Sequence, residues 1–306
     1  MFPIVPANSA AVSGNQEGIF GFGDTGGGDS GYQSMTNLVS NTGVVSTDVT
    51  GVGTVRRYLA ACEYGEDKGI FGFGNKAPGG STYSSETNLV SNAGVVASDQ
   101  AATTGTARRS PAACSYGEDK GIFGFGYNNV KNSMTNLVSN TGVVASDVSS
   151  VGDARYSLAA CEYGDDKGIF GFGIDAGGLG ETTNLVSNVG VVASDVTGIG
   201  TPRYILGACD YGGDKGIFGF GEAGPGATAV TNKVSNGGIV STDTTGVGTA
   251  RNALAATQYG GNKGIFGFGQ GPTNVTNLVS NTGVVASDQA ATTGTARDNL
   301  AACSFN

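Results

Sequence analysis

The residues of this chain that could do chemistry recur at fixed positions of an internal repeat. Five cysteines occupy one such position, and a threonine fills it in the remaining copy. A ring of thiols could bind a metal ion. The threonine favours a simpler interpretation, a slot that needs a small, buried and nearly apolar side chain. The six residues are Cys62, Cys114, Cys161, Cys209, Thr257 and Cys303.

Acidic residues form two repeated sets. A catalytic pair of carboxylates should break the repetition, so we predict that the first set caps turns and pairs with a repeated arginine. The second set lies in turns such as Glu66-Asp67-Lys68. It could form a calcium ring, but it lacks the spacing of an EF-hand loop, which favours solvated hairpin tips. The first set is Asp48, Asp99, Asp147, Asp195, Asp243 and Asp288.

The chain contains no histidine. This removes the usual general base, the commonest metal ligand and the common serine and cysteine triads. The repeated GIFGFG motif has Gly-x-x-Gly-x-Gly spacing, but no helix is predicted to follow it, which argues against a phosphate-binding loop. We therefore predict a protein that is not an enzyme and that holds no metal and no cofactor.

The elements that carry these residues follow from a repeat of 47 to 52 residues. Each copy contains four short segments separated by Gly, Asn and Asp, which predicts four strands and no helix. We name them A (LAAC), B (GIFGFG), C (TNLVS) and D (GVVASD, as in Gly190–Asp195). With no tryptophan in the chain, paired phenylalanines should supply much of the large apolar surface between copies. The B segments begin at Gly18, Gly69, Gly121, Gly168, Gly216 and Gly264.

The layout of the copy resembles the kelch repeat. In that pattern an arginine precedes a strand of small residues, and a second strand ends in glycines before a variable loop and two further strands. This chain has Gly-Phe-Gly where the family has a double glycine, and a valine such as Val44 or Val143 stands near the place of its tryptophan. The copper-oxidase chemistry known for some proteins with kelch repeats needs histidine ligands, which this sequence lacks. The arginines are Arg56, Arg108, Arg155, Arg203, Arg251 and Arg297.

The resemblance implies an all-β protein, a six-bladed β-propeller of four-stranded blades. Because the chain starts with a B segment and ends with an A segment, we predict that Leu300–Phe305 pairs with Gly18–Gly23 and closes the ring, which protects two strand edges. Ser9–Gly14 is an alternative closing strand. The predicted organisation is an N-terminal arm at residues 1–17 and one propeller domain at residues 18–306.

Composition limits the partners. A net charge of −9 disfavours nucleic acid, because phosphate binding needs clustered Lys and Arg. No apolar run is long enough for a transmembrane helix, so we expect no membrane insertion. The segment MFPIVPANSA lacks the basic and apolar regions of a secretory signal.

The loop between the B and C segments varies from 12 to 6 residues while the strands barely change. Binding residues are often carried by loops on a rigid scaffold, although loops can also vary because nothing constrains them. We expect Tyr32 and Tyr83 to share one raised patch with Tyr127 beside it, and these to be the only aromatic residues of the loop face. The candidate binding residues are Tyr32, Gln33, Lys76, Tyr83, Tyr127, Asn128 and Lys131.

These observations favour a structural and interaction protein. Gly/Asn/Thr-rich repeats of this kind also resemble those of bacteriophage tail and virion proteins. We predict a virion component, either a tail, a fibre or a capsid attachment, present in multiple copies. Its partners would be other virion proteins, a host surface receptor or a glycan. The alternative is a lectin-like or adhesive module in an extracellular or cell-surface location.

Overall fold

The computed structural model describes residues 16–78, 82–100, 104–149, 152–289 and 293–305. The predicted all-β class is confirmed: across these residues the chain forms strands, and the only helix is the single 3-10 turn Gly28–Gly31. No helix in these ranges is long and apolar enough to cross a membrane. The alternative closing strand Ser9–Gly14 and most of the predicted arm lie outside the described residues.

Six antiparallel sheets of three strands make up the frame, and each is small and open. In every sheet the B strand lies between an A and a C strand, and we number the sheets 1 to 6 in the order of their B strands. The B strands are Gly18–Asp24, Lys68–Gly72, Lys120–Gly124, Lys167–Gly171, Lys215–Gly219 and Lys263–Gly269. The C strands are Tyr32–Val39, Thr87–Val90, Thr135–Val138, Thr183–Val186, Thr231–Val234 and Thr273–Val279. The A strands, from sheet 2 onward and ending with sheet 1, are Ala60–Tyr64, Ala112–Tyr116, Ala159–Tyr163, Gly207–Tyr211, Ala255–Tyr259 and Ala301–Ser304.

Short strands occupy three of the B–C loops. Arg56–Arg57 pairs with Asn75–Lys76, which pairs in turn with Thr82–Tyr83. The loops of sheets 4 and 5 form two-stranded hairpins, each with two residues per strand. These hairpins are Ile174–Asp175 with Gly178–Leu179, and Glu222–Ala223 with Gly226–Ala227.

Glycines of the B strands let successive sheets interlock. A Cβ on Gly72 of sheet 2 would come within 2.8 Å of the Phe123 ring of sheet 3, and the same relation joins every sheet to the next, ending with Gly267 of sheet 6 against Phe20 of sheet 1. These phenylalanines are fully buried. Glycine is therefore required where a neighbouring ring lies directly on the backbone.

The last strand of the chain pairs with the first. Gly18, Ile19, Phe20 and Gly21 lie opposite Ser304, Cys303, Ala302 and Ala301, so the predicted pairing of the C-terminal segment is confirmed. A narrow cavity of about 50 Å³ is lined by residues of all six A strands.

The fourth segment is a correction to the predicted four-stranded blade. The D segments, Gly190–Asp195 among them, form only isolated bridges to the C strands. In sheet 1 the bridges join Val39 to Val45 and Thr36 to Val49, so the D segment holds one extra residue between them. The Asn37 side-chain amide fills the gap by donating to the Ser46 carbonyl at 3.0 Å and to Asp48 Oδ1 at 2.9 Å. Because a side chain replaces the backbone ladder, no continuous strand forms.

Each repeated arginine is buried between two sheets. Its guanidinium lies 4.1 to 4.9 Å from the centre of a phenylalanine ring of the preceding sheet. The predicted pairing with the aspartate set is confirmed for five of the six, at 3.6 to 4.0 Å. Burial by itself would raise the pKa of Asp48, but hydrogen bonds from Thr295 and Asn37, together with the nearby Arg297 guanidinium, lower it. These acids are therefore structural partners of buried cations.

The cysteines face the backbone of the next sheet. A Cβ on Gly69 of sheet 2 would come within 2.5 Å of Cys303 Sγ of sheet 1, and Thr257 fills the equivalent space beside Gly18. All five thiols are free and buried. Burial raises the pKa of Cys62 to about 12. This geometry supports the small-slot interpretation.

Candidate functional site

The tyrosines of the first three loops are only partly brought together. Tyr83 and Tyr127 form an edge-to-face pair with ring centres 6.4 Å apart, and Tyr127 lies 5.2 Å from Tyr156. Tyr32 instead begins a C strand and is only 3% exposed, beneath the Arg57 guanidinium at 4.6 Å. The Tyr83–Tyr127 contact is thus as expected, whereas Tyr32 is a packing residue in this arrangement.

The polar residues predicted for the site are held by the chain itself. Gln33 donates to the Gly31 carbonyl at 3.0 Å, and Lys76 pairs with Glu86 at 2.9 Å. Asn128 accepts from Asn132 at 2.8 Å. Lys131 donates to the Asp175 carbonyl of the next loop. All four brace the loops in this arrangement.

Besides the B–C loops, the six copies differ at the positions that follow the repeated arginine and at the position that follows Gly-Phe-Gly. We call the first and second residues after the arginine positions x and y, and the first residue after Gly-Phe-Gly position z. The backbone of x pairs with the backbone of z in every sheet, as in Arg109 with Tyr127 and Tyr204 with Glu222. The x residues are Arg57, Arg109, Tyr156, Tyr204, Asn252 and Asp298. The y residues are Tyr58, Ser110, Ser157, Ile205, Ala253 and Asn299. The z residues are Asp24, Asn75, Tyr127, Ile174, Glu222 and Gln270.

The y residues are joined by backbone hydrogen bonds. The N–H of each donates to the carbonyl of the y residue in the preceding sheet at 2.8 to 3.0 Å, from Ser110 to Tyr58 onward and finally from Tyr58 to Asn299. All six adopt left-handed backbone angles, and even the β-branched Ile205 has φ of 45°. Such angles are costly for residues other than glycine and persist only where the surroundings impose them. The hydrogen bonds fix these positions at the start of the A strands.

A cavity of about 410 Å³ lies at this end of the A strands, and we call it the mouth cavity. Every residue that lines it occupies position x, y or z. One wall is aromatic and cationic, with Tyr58, Arg109, Tyr156 and Tyr204. The rest of the lining, which we call the acidic wall, is polar and acidic, with Glu222, Asn252, Gln270, Asp298 and Asn299.

Arg109 is held on the aromatic wall. Its guanidinium lies 5.5 Å from the Tyr58 ring centre and 5.1 Å from that of Tyr127. Two backbone hydrogen bonds of 2.9 Å join Arg109 to Tyr127 and fix this geometry. Arg57 is different, because Asp24 pairs with it at 2.6 Å.

The acidic wall is also ordered by contacts within the chain. Asn252 is 6% exposed and donates to Glu222 Oε2 at 2.6 Å. Burial, followed by the nearby Asp24 carboxylate, raises the pKa of Asp298 to about 6. The wall therefore offers carboxylate and amide groups that suit hydroxyl groups of a ligand.

The other end of the A strands carries a ring of polar residues. Ser304 donates to Glu63 Oε2 at 2.6 Å, and Gln258 donates to Asp210. Burial raises the pKa of Glu63 to about 8 and that of Asp210 to about 6. Among the described residues, no group of His, Cys, Asp and Glu is arranged to hold a metal ion.

The expectation that Tyr32, Tyr83 and Tyr127 were the only aromatic residues of this face was wrong. Tyr58, Tyr156 and Tyr204 line the mouth cavity, as does Arg109. Sequence reasoning missed them because they precede the A segment and look like connecting residues. Column-by-column comparison of the six copies would have found them, since positions x and y vary between nearly constant neighbours.

No protein-family model matches this chain, and no curated protein is significantly similar to it.

Proposed function

We propose that the six sheets are the blades of one β-propeller with a kelch-like layout. The pairing of the last strand with the first, the cavity shared by all six A strands and the hydrogen bonds that return from Asn299 to Tyr58 support this arrangement. The blades would have three strands, with the D segment bridged to the outer edge. An experimental structure with five or seven blades, or with an open superhelix, would contradict the proposal.

On this scaffold the protein acts as a non-enzymatic binding protein whose ligand occupies the mouth cavity. One observation carries the proposal. The six similar copies differ at positions x, y and z, and every residue lining the mouth cavity belongs to those three positions. Variation at these positions gives the cavity an asymmetric lining, which suits the recognition of a single ligand.

The setting we propose is a virion, where several copies would display this face to a host surface or to a neighbouring subunit. Detection of the chain by mass spectrometry in purified virus particles would support that setting. The lining of the mouth cavity favours a second candidate, a lectin-like module. Three tyrosines in one cavity with amide and carboxylate groups offer the flat faces and hydrogen-bonding groups that a sugar needs.

The binding test uses residues that the chain already tolerates. Asparagine occupies position x in sheet 6, so a variant with Arg109→Asn, Tyr156→Asn and Tyr204→Asn should fold. It should lose the ligands that the wild-type protein binds on a glycan array. The matched control is Glu118→Gly, at the opposite end of the A strands, where Gly213 is the equivalent residue. Undiminished binding by the triple variant, with unchanged circular dichroism, would show that the mouth cavity is not the site.

A further inference from the structure

We propose that the mouth cavity binds a sugar residue that bears a carboxylate, and that Arg109 is the group that binds this carboxylate. This inference rests on the proposed binding function and names its ligand class.

Arg109 is a cation that lacks a counter-ion within the described part of the chain. No hydrogen bond or ion pair there engages its guanidinium, and its Nε is buried without an acceptor. The buried Arg108 beside it donates to the Phe125 carbonyl at 2.6 Å and to Asn136 at 2.7 Å. A half-buried guanidinium with free donors is suited to a planar anion, which it can bind through two parallel hydrogen bonds.

The guanidinium is already oriented for such a ligand. The rings of Tyr58 and Tyr127 contact it, and the paired backbones of Arg109 and Tyr127 fix the second of these contacts. The Tyr127 ring is held in turn against Tyr156 at 5.2 Å. An arginine ordered before binding loses less conformational freedom when the ligand arrives, which favours affinity.

The remaining lining selects the rest of the ligand. Tyr156 and Tyr204 present aromatic surface in the same cavity as Arg109, and Glu222, Asn252 and Gln270 provide acceptors and donors on the acidic wall. Glu222 and Asp298 add negative charge there, which opposes a ligand with several anionic groups. A ligand with one carboxylate and many hydroxyl groups would match both the cationic and the acidic parts of the lining. The volume of about 410 Å³ lies in the range of small-molecule pockets, roughly 300–1,000 Å³.

Sialic acids and uronic acids share this chemistry, and direct titration distinguishes them. The probes are the methyl glycosides of N-acetylneuraminic acid and of glucuronic acid, together with the carboxyl methyl ester of each and methyl glucoside. We expect the wild-type protein to bind at least one acid glycoside and to bind its methyl ester at least about tenfold more weakly, since the ester removes the charge that Arg109 recognises.

Protein variants provide the second arm. Arg109→Gln should weaken binding of the acid glycoside at least about tenfold while leaving methyl ester binding nearly unchanged. Lys120→Gln is the control for net charge, because Lys120 pairs with Asp119 in the A–B turn at the other end of the A strands, and it should bind as wild type. The methyl ester arm still tests the inference if Arg109→Gln fails to fold.

The outcomes separate this inference from the proposed function. Equal binding of acid and ester with no effect of Arg109→Gln overturns the carboxylate assignment but leaves sugar binding at the mouth intact. Binding of inorganic phosphate or sulfate in place of every sugar overturns the ligand class. If no glycan on the array binds at all, the lectin-like candidate and this inference both fail.

Discussion

Substituting Gly69 with alanine should destabilise the protein through one contact between sheets 1 and 2. The new Cβ would lie 2.5 Å from Cys303 Sγ and 3.4 Å from the Ser304 carbonyl, so sulfur or backbone must move. Cys303 is 4% exposed and has little room to do so. Overpacking of this kind typically costs about 1–3 kcal/mol.

The second substitution in the cycle removes the obstacle. Cys303→Ala alone deletes one buried heavy atom and should cost about 1 kcal/mol, close to the value for a buried methylene. The double variant should be about as stable as Cys303→Ala alone, because the alanine Cβ then occupies the space that the sulfur leaves. The resulting coupling between the two sites is about 1–3 kcal/mol.

Urea unfolding followed by tyrosine fluorescence measures all four proteins, since the chain has 11 Tyr and no Trp. Gly224→Ala is the control, because a Cβ added at Gly224 would meet no other heavy atom within 4 Å and the residue has no left-handed φ. It should stay within about 1 kcal/mol of wild type. The reasoning is refuted if Gly69→Ala unfolds at the wild-type urea concentration, or if the double variant is clearly less stable than Cys303→Ala alone.

Three further predictions concern buried polar groups. Because burial raises the pKa of Cys62 to about 12, a thiol reagent at pH 8 should label the native protein far more slowly than the urea-unfolded chain; rapid native labelling would contradict this. Burial raises the pKa of Glu63 to about 8 from about 4.5 in the unfolded chain, so the stability that the protonated carboxyl contributes is lost as pH rises between these values. The melting temperature should therefore fall from pH 5 to pH 8, and Glu63→Gln should make this fall smaller. A fall of the same size in both proteins would mean that the pKa of Glu63 is not raised. Arg108→Met should lower the free energy of unfolding by about 3–5 kcal/mol, because it leaves Asn136 and Asp147 without their cation. Arg109→Met should lower it by less than about 1 kcal/mol. Equal losses of stability in urea unfolding would contradict this distinction between the two arginines.

Much of the frame could be predicted from local pattern. Alternation within GIFGFG predicts a strand, and the Gly, Asn and Asp clusters predict the turns around it. The B-first, A-last order predicted the pairing of Gly18 with the C-terminal strand, which the structure confirms. These features depend on the sequence period and on turn chemistry, both of which are local properties.

The D segment and the site depended on contacts between distant residues. The Asn37 side chain decides whether Val44 and Val45 continue a strand. Its amide donates to the Ser46 carbonyl, where a regular ladder would have a backbone N–H. Tyr32 lies in a segment that the sequence pattern predicts to be an exposed loop, yet Arg57 from the next copy covers its ring. Local pattern contains no information about such partners.

What the sequence by itself determined is the strand order, the turns and the positions where the six copies differ. Only the tertiary structure decided that Arg109 and Tyr204, 95 residues apart by their numbering, line one cavity. The physical reason is that each copy places its x residue at the start of an A strand, and hydrogen bonds between neighbouring y residues bring those starts together. A cavity formed in this way belongs to no single repeat, so it appears only when the repeats are packed together.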